Sequence, residues 1–193
     1  LGAASSNWTG DAKGDSFTSI EAFDLTNFAD LFRGDDVGNT VISRVGDDQL
    51  FGGGGNDRLI AGTGNDILSG GLGADALAGE QGADTFKYFA VEESSGAVVN
   101  GVKQTDDITD FTQGEDRIDL SAIDANSALA GDQAFTFLDN PAGHTGDWTG
   151  LVWSVTDSRG TTTIFVSTDV DADAEMQIFT PHAVQFHASD FIL

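Results

Sequence analysis

The sequence contains no cysteine, only two prolines, and eight lysine and arginine residues against 32 aspartate and glutamate residues. The absence of cysteine excludes a disulfide framework, so an extracellular fold would need another kind of cross-link. The formal net charge of −24 makes nucleic acid and anionic membrane surfaces unfavourable partners. The natural partner for such a charge is a cation.

Long apolar segments are also missing, since no run approaches the ~20 residues that a membrane-spanning helix requires. No signal peptide is visible, and the chain begins at Leu1 without methionine, so we expect it to be a piece of a longer protein. In contrast, glycine is abundant, with 25 residues, and 14 phenylalanines contribute to a hydrophobic content of 39%. This content favours a packed fold over disorder.

A repeat of nine residues runs from Leu25 to Lys87. From Gly52 onward its blocks read GGGGNDRLI, AGTGNDILS, GGLGADALA and GEQGADTFK, and three more degenerate blocks precede them. The fourth position is usually glycine, the eighth is apolar, and the sixth is acidic or amide. The sixth-position residues are Asp30, Asn39, Asp48, Asp57, Asp66, Asp75 and Asp84.

This spacing predicts a coil made of two turns and two short strands. Glycine in the turns can adopt positive φ and bring backbone carbonyls together. Because side chains alternate along a strand, only the eighth-position residue points inward and forms a single apolar row. Two blocks complete one coil, so alternate blocks stack and their sixth-position carboxylates face the same gap. We predict a first column of Asp30, Asp48, Asp66 and Asp84, and a second column of Asn39, Asp57 and Asp75.

Carboxylates stacked at ~4.8 Å repel one another unless a cation lies between them. Ca²⁺ suits such turns because it accepts about six to eight oxygen ligands in flexible geometry, whereas Mg²⁺ requires a tighter octahedron. We predict three to five calcium ions. The pairs are Asp48–Asp66, Asp66–Asp84 and Asp57–Asp75, with Asp30–Asp48 and Asn39–Asp57 as weaker sites because Phe28 and Val37 replace a turn glycine. The predicted turn glycines are Gly46, Gly53, Gly55, Gly62, Gly64, Gly71, Gly73 and Gly82.

The blocks resemble the G-G-x-G-x-D-x-U-x nonapeptide of RTX, or hemolysin-type, calcium-binding proteins. The resemblance implies a parallel β-roll in a secreted, extracellular bacterial protein that leaves the cell through a type I secretion system. A flexible glycine-rich linker is the alternative. A linker, however, has no reason to keep aspartate and leucine at fixed offsets over consecutive blocks.

The second half of the chain extends this resemblance. Residues 88–103 are predicted to form an irregular loop. The segments 105–111 and 114–121 then resemble the D-x-I-x-D-F-x-x-G-x-D-x-I-D-L-S sequence after the β-roll of serralysin-type metalloproteases, which also occurs in RTX modules of mannuronan epimerases. The resemblance implies that Asp106, together with Asp110, completes the last calcium site. An acidic surface turn is the alternative.

The predicted fold is therefore all-β in three parts. Residues 1–24 form a lead-in strand or cap, 25–87 the calcium-bound parallel β-roll, and 88–193 a β-rich capping and secretion-signal region. In this last region, extended segments at 134–138, 151–156 and 161–167 are predicted to pack as a β-sandwich against the roll. Residues 169–175 resemble the start of an EF-hand but lack its later glycine and glutamate, which favours a polar turn with only weak cation binding. Residues 190–193 resemble the C-terminal end of exported proteins.

Catalytic motifs are missing from the chain. It has no H-E-x-x-H, no G-x-S-x-G and no thiol, and its three histidines lack zinc-ligand spacing. We therefore predict that this chain is not an enzyme, although its parent could be an extracellular hydrolase or epimerase. The predicted function is a domain that folds on extracellular calcium and supports type I secretion and folding of an exported protein.

Three alternatives are left open by the sequence. A polysaccharide-binding RTX module is disfavoured by the few basic residues. An ice-binding or adhesin solenoid would need a regular outward array of threonine, which the seventh and ninth positions lack. The C-terminal part of a serralysin-like metalloprotease is compatible with the main prediction and concerns the parent protein.

Overall fold

The computed structural model describes residues 21–126, 128–171 and 173–193, which are almost entirely β-strands and turns. Residues 1–20 of the predicted lead-in at 1–24 therefore lie outside the described residues. The strands of the repeat region are β1 (Ala22–Asp24), β2 (Leu31–Arg33), β3 (Thr40–Ile42), β4 (Gln49–Gly54), β5 (Arg58–Thr63), β6 (Ile67–Leu72), β7 (Ala76–Gln81) and β8 (Thr85–Lys87).

The later strands have two or three residues, except for three longer ones between residues 151 and 180. They are β9 (Val98–Val99), β10 (Val102–Lys103), β11 (Asp106–Ile108), β12 (Arg117–Asp119), β13 (Thr136–Phe137), β14 (Leu151–Thr156), β15 (Thr162–Ser167), β16 (Met176–Thr180) and β17 (Phe191–Ile192). Two short 3₁₀ helices cover Val91–Ser94 and Ala188–Asp190.

The repeat region forms a parallel β-roll with two sheets. The first sheet has the order β1-β3-β5-β7-β11-β16-β15-β14-β13, the second β2-β4-β6-β8-β12-β17, and β9 pairs with β10 as a separate hairpin. Successive strands of one sheet pair in parallel one coil apart, as in Leu50 opposite Leu68. The predicted all-β roll with alternate blocks stacked is confirmed.

The core of the roll is the single apolar row that the alternation of side chains predicts. Its members are completely buried: Phe32, Val41, Leu50, Leu59, Leu68, Leu77 and Phe86. Beyond the repeats, Ile108 pairs with Leu77 and Ile118 with Phe86, and both isoleucines are also fully buried. The row therefore continues into the C-terminal region.

The strands in the middle of the roll are longer than the short strands predicted from the repeat. Strands β4 to β7 each have six residues, because the parallel pairing continues through the first glycines of the following block, as in Gly53 opposite Gly71. The roll geometry also begins before Leu25, since Phe23 in β1 pairs with Val41.

The C-terminal strands differ from the sandwich arrangement expected for them. Strands β14, β15 and β16 form an antiparallel meander, and β16 joins the roll by parallel pairing of Ile178 with Asp106 in β11. They thus extend one sheet of the roll edge to edge. The physical reason is that the last coil would otherwise leave a row of unpaired backbone groups, which a further strand satisfies.

Glu80 has a strained backbone conformation, and relieving this strain is expected to stabilise the protein. Glu80 has φ of 68°. The second position of the three preceding nine-residue blocks is instead glycine, at Gly53, Gly62 and Gly71. A left-handed conformation is unfavourable for a residue with a Cβ. We expect Glu80→Gly to stabilise the calcium-loaded protein by about 1 kcal/mol in thermal or denaturant unfolding. Glu80→Gln removes the charge but keeps the strain, so equal effects of the two substitutions would refute this explanation.

Candidate metal centre

The sixth-position side chains form two hydrogen-bonded columns along the roll. In the first column, Asp66 Oδ1 accepts the backbone N–H of Asp48 at 2.7 Å, and Asp84 Oδ1 accepts that of Asp66 at 2.9 Å. In the second column, Asp75 Oδ1 accepts the N–H of Asp57 at 2.7 Å. Each carboxylate therefore holds the backbone of the coil before it.

Both columns continue beyond the repeats. Asp106 Oδ1 accepts the N–H of Asp75 at 3.0 Å, so the structure places Asp106 at the end of the second column. Asp116 Oδ1 accepts the N–H of Asp84 at 2.9 Å and ends the first column. Sequence analysis did not include Asp116 among the site residues. The sequence does contain a pattern that could have identified Asp116. The spacing of Gly114, Asp116 and Ile118 repeats positions four, six and eight of the nonapeptide.

In most column residues, one side-chain oxygen is buried and has no hydrogen-bond partner. These atoms are Asn39 Oδ1 and the Oδ2 atoms of Asp48, Asp57, Asp66, Asp75, Asp84 and Asp106. A buried polar atom without a partner is costly, so a row of them indicates that a ligand belongs there.

Two further column residues, Asp30 and Asp116, and the neighbouring Asp110 already have partners for their remaining oxygens. Asp30 Oδ2 accepts the N–H and the hydroxyl of Thr26, both at 2.8 Å. Asp116 Oδ2 accepts the N–H of Thr112 at 2.7 Å. Asp110 accepts two N–H groups from the start of the last repeat block, at 3.1 and 2.8 Å. Asp110 therefore fastens the C-terminal region to the roll, and its role as a calcium ligand stays a prediction.

The turn glycines create the space that these oxygens occupy. All eight predicted turn glycines have positive φ: Gly46, Gly53, Gly55, Gly62, Gly64, Gly71, Gly73 and Gly82. Sequence analysis missed the first-position glycines. A Cβ on Gly52 would lie 2.2 Å from Asp57 Oδ2, and one on Gly70 would lie 2.1 Å from Asp75 Oδ2. Glycine at this position therefore leaves room for the unpaired carboxylate oxygen.

Burial makes these carboxylates hard to ionise in the absence of a cation. It raises the pKa of Asp57 and Asp84 to about 6, although backbone N–H donors work in the opposite direction. Burial likewise raises the pKa of Asp66 and Asp75 to about 7, with neighbouring carboxylates adding to the effect. A bound cation would remove this penalty, because it favours the charged form of each group.

The donor set fits calcium. Its unpartnered atoms are carboxylate oxygens and the amide oxygen of Asn39. Hard cations prefer such all-oxygen sites, and the absence of nitrogen and sulfur ligands in the columns argues against transition metals.

A second acidic group lies in the turn between β15 and β16. Carboxylate oxygens of Asp169, Asp171 and Glu175 lie within 4.8 Å of one another, and the two aspartates are exposed. Glu175 Oε2 also accepts the N–H of Thr168 at 2.6 Å. The polar turn is confirmed, and weak cation binding there stays a prediction.

Comparison with known proteins agrees with this geometry. Residues 24–193 match the family described as the peptidase M10 serralysin C terminal. The chain belongs to this family. The serralysin C-terminal family is a non-catalytic, RTX-type region, so both the resemblance and the prediction that this chain is not an enzyme are confirmed. RTX-type regions bind calcium in general.

Two solved structures are similar in part. The solution structure of the AlgE6R2 subunit of the Azotobacter vinelandii mannuronan C5-epimerase is 21% identical, with 91% of this chain and 94% of that chain covered and a TM-score of 0.45. The AlgE6R3 subunit of the same enzyme is 27% identical, with coverage of 91% and 80% and a TM-score of 0.32. The comparison with curated proteins gives no match. Among the described residues, no helix is long and apolar enough to span a membrane.

Proposed function

We propose that this serralysin C-terminal region is a secreted module that folds when it binds extracellular calcium, and that it supports type I secretion and folding of the protein to which it belongs. The observation that carries the proposal is the row of buried, unpartnered oxygens in the two columns. Such a row is unfavourable without cations and becomes a ligand set with them.

The distribution of these oxygens supports five calcium ions. Consecutive unpartnered oxygens define the gaps Asp48–Asp66, Asp66–Asp84, Asn39–Asp57, Asp57–Asp75 and Asp75–Asp106. The gap between Asp30 and Asp48 is a weaker candidate, because Thr26 already binds the second oxygen of Asp30. We therefore favour the upper end of the predicted range of three to five.

Calcium is expected to supply much of the stability of the roll. One inward side chain per block is a thin core against a backbone ordering cost of about 1 to 2 kcal/mol per residue. A site with Kd near 0.1 mM in about 1 mM calcium contributes about 1.4 kcal/mol, so five sites contribute about 7 kcal/mol. This is comparable to the stability of a whole domain, roughly 5 to 15 kcal/mol.

The C-terminal end links folding to export. Phe191 in β17 is buried and pairs with Ile118 of β12. Asp190 and Phe191 are buried in the folded structure, whereas Ile192 is exposed, so part of an export signal in residues 190–193 becomes accessible only while the chain is unfolded. Low calcium inside the cell keeps it unfolded, and calcium outside completes the fold.

Binding of an anionic polysaccharide remains the less favoured function. Three of the basic side chains already pair with carboxylates: Arg44 with Asp24, Lys87 with Asp119 and Arg159 with Asp157. Even five calcium ions would leave a charge of −24 + 10 = −14. A surface of this sign repels an anionic polymer.

A calcium titration tests the proposal. We expect the far-UV circular dichroism of the chelated protein to change from unfolded to β-rich as calcium is added at neutral pH, with about five ions bound by calorimetry. Magnesium at the same concentrations serves as the control and should produce little change. An unchanged β-signal in excess chelator would contradict the proposal.

A further inference from the structure

Strand β14 (Leu151–Thr156) has one edge that is only partly covered. On that side its neighbour is β13, which pairs with Leu151 and Val152 alone. On the other side β15 pairs with the whole of β14. Residues 153–156 therefore have a neighbouring strand on one edge only, and their second edge is open.

The backbone groups on the open edge have no partner in the described part of the chain. The N–H of Leu138, just after β13, donates to the carbonyl oxygen of Val152 at 2.7 Å, so the backbone of Val152 faces this edge. Successive residues of a strand direct their backbone groups to opposite edges, so Ser154 and Thr156 face it as well. No described residue bonds to their N–H or carbonyl groups there. Such a row of free groups is a template for a further strand.

Other uncovered strand segments in this protein are closed by side chains. Asp110 accepts two backbone N–H groups of β7, and the Ser94 hydroxyl donates to the carbonyl oxygen of Gln177 in β16. Charged residues and proline also commonly protect an edge strand from pairing. Residues 153–156 read Trp-Ser-Val-Thr and contain neither. The open edge of β14 thus lacks the features that close the other edges.

A cleft of about 630 Å³ lies at this open edge. It is lined by Ser154 and Thr156 of β14, by Asp139, and by residues 183–187. The volume lies within the range of roughly 300 to 1,000 Å³ that is typical of ligand sites. A strand of four residues is only about 13 Å long, so a short extended segment can enter beside β14.

We propose that the open edge of β14 binds an extended peptide segment of another protein by β-strand addition, with the segment pairing along residues 153–156. In this mode of recognition, main-chain hydrogen bonds supply the affinity. The exposed carboxylate of Asp139 lines the cleft, and the chain carries a net charge of −24. The segment that fits therefore has an uncharged, β-forming centre and basic ends, whereas a second copy of this acidic chain is repelled.

Calorimetry with a synthetic peptide tests this site. The probe is an end-blocked peptide of alternating threonine and valine with a lysine at each end, titrated into the full chain in saturating calcium. We expect it to bind, and we expect binding to be lost when alternate backbone nitrogens of the peptide are methylated, because methylation removes donors and keeps the side chains. Glutamate in place of the two lysines should weaken binding by about 10-fold.

Two variants of Ser154 locate the binding to this edge. Ser154→Pro removes the N–H that faces the cleft and should weaken peptide binding by about 10-fold. Proline is tolerated where the N–H of an edge strand faces solvent, and circular dichroism in saturating calcium checks that the variant folds. Ser154→Ala keeps the N–H and is the matched control, with an affinity equal to that of the parent chain.

Three results would overturn this inference: no binding at millimolar peptide, equal binding of the methylated peptide, or equal affinities of Ser154→Pro and Ser154→Ala. Dimerisation of the protein that Ser154→Pro abolishes would also overturn it, because a second copy would then occupy the edge. The methylated peptide tests the same hydrogen bonds without any change to the protein. All these measurements use the calcium-loaded fold, so they leave the proposed function untouched.

Discussion

Without calcium, the protein is expected to be unfolded at about pH 8 and to recover β-structure at about pH 4. The folded-state pKa values of Asp66 and Asp75 are raised to about 7, whereas an unfolded aspartate titrates near 3.9. A raised folded-state pKa favours folding at low pH, and this contribution is lost as the pH rises through the folded value. This contribution is complete below about pH 4 and lost by about pH 7, so the transition of the calcium-free protein is expected within this range.

Calcium should reverse this dependence. The bound ion needs ionised carboxylates, so its affinity falls as they protonate. Circular dichroism of dialysed protein across this pH range, with and without calcium, measures both effects. Asp66→Asn should fold better than the parent chain at about pH 8 without calcium and bind fewer ions, because it removes the buried charge.

Asp132→Asn is the control for this variant. Asp132 is exposed and lies outside the repeat, so its substitution removes one charge without touching the columns. Similar behaviour of the two variants, or a calcium-free fold that is equally stable at both pH values, would show that the column carboxylates do not control folding.

The second large effect is expected from a methyl group added to Gly71, a glycine in strand β6. Gly71 has φ of 94°, and a Cβ there would lie 2.0 Å from the carbonyl oxygen of Gly53 in the neighbouring coil. The clash involves backbone on both sides, which cannot move without breaking the strand pairing. We expect Gly71→Ala to lower the free energy of unfolding by roughly 3 to 5 kcal/mol and to weaken calcium binding.

Gly160→Ala separates the clash from the backbone conformation. Gly160 has a similar φ of 85°, but nothing lies within 4 Å of the place where its Cβ would be. The cost should therefore be only about 1 to 2 kcal/mol. Denaturant unfolding in saturating calcium compares the two, and equal losses would mean that the left-handed conformation alone matters.

The repeat region could be predicted in detail because each block obeys the same local rules. Alternation of side chains placed Leu50, Leu59 and Leu68 in the core, and the period of nine placed the aspartates in two columns. Positive φ at the fourth-position glycines followed from the same pattern. The pattern of one block therefore predicts the core, column and turn positions of the other blocks.

The nonapeptide pattern no longer predicts the structure where the spacing between stacked column residues changes. Asp106 occupies the place one coil after Asp75 but lies 31 residues away, and Asp116 lies 32 residues after Asp84, whereas the spacing inside the roll is 18. A period cannot align residues across such an insertion. The pairing of β16 with β11 depends on closing a still longer loop, for which the sequence carries no local signal.

The hydrogen bonds of the columns all run in one direction along the chain. Each carboxylate serves the coil before it, so removal of the C-terminal end would strip the buried N–H groups of Asp75 and Asp84 of their acceptors. Removal of coils from the other end would instead free carboxylate oxygens, which water or cations can satisfy. Truncation is therefore asymmetric, and the roll depends more on its C-terminal neighbour than on its N-terminal one.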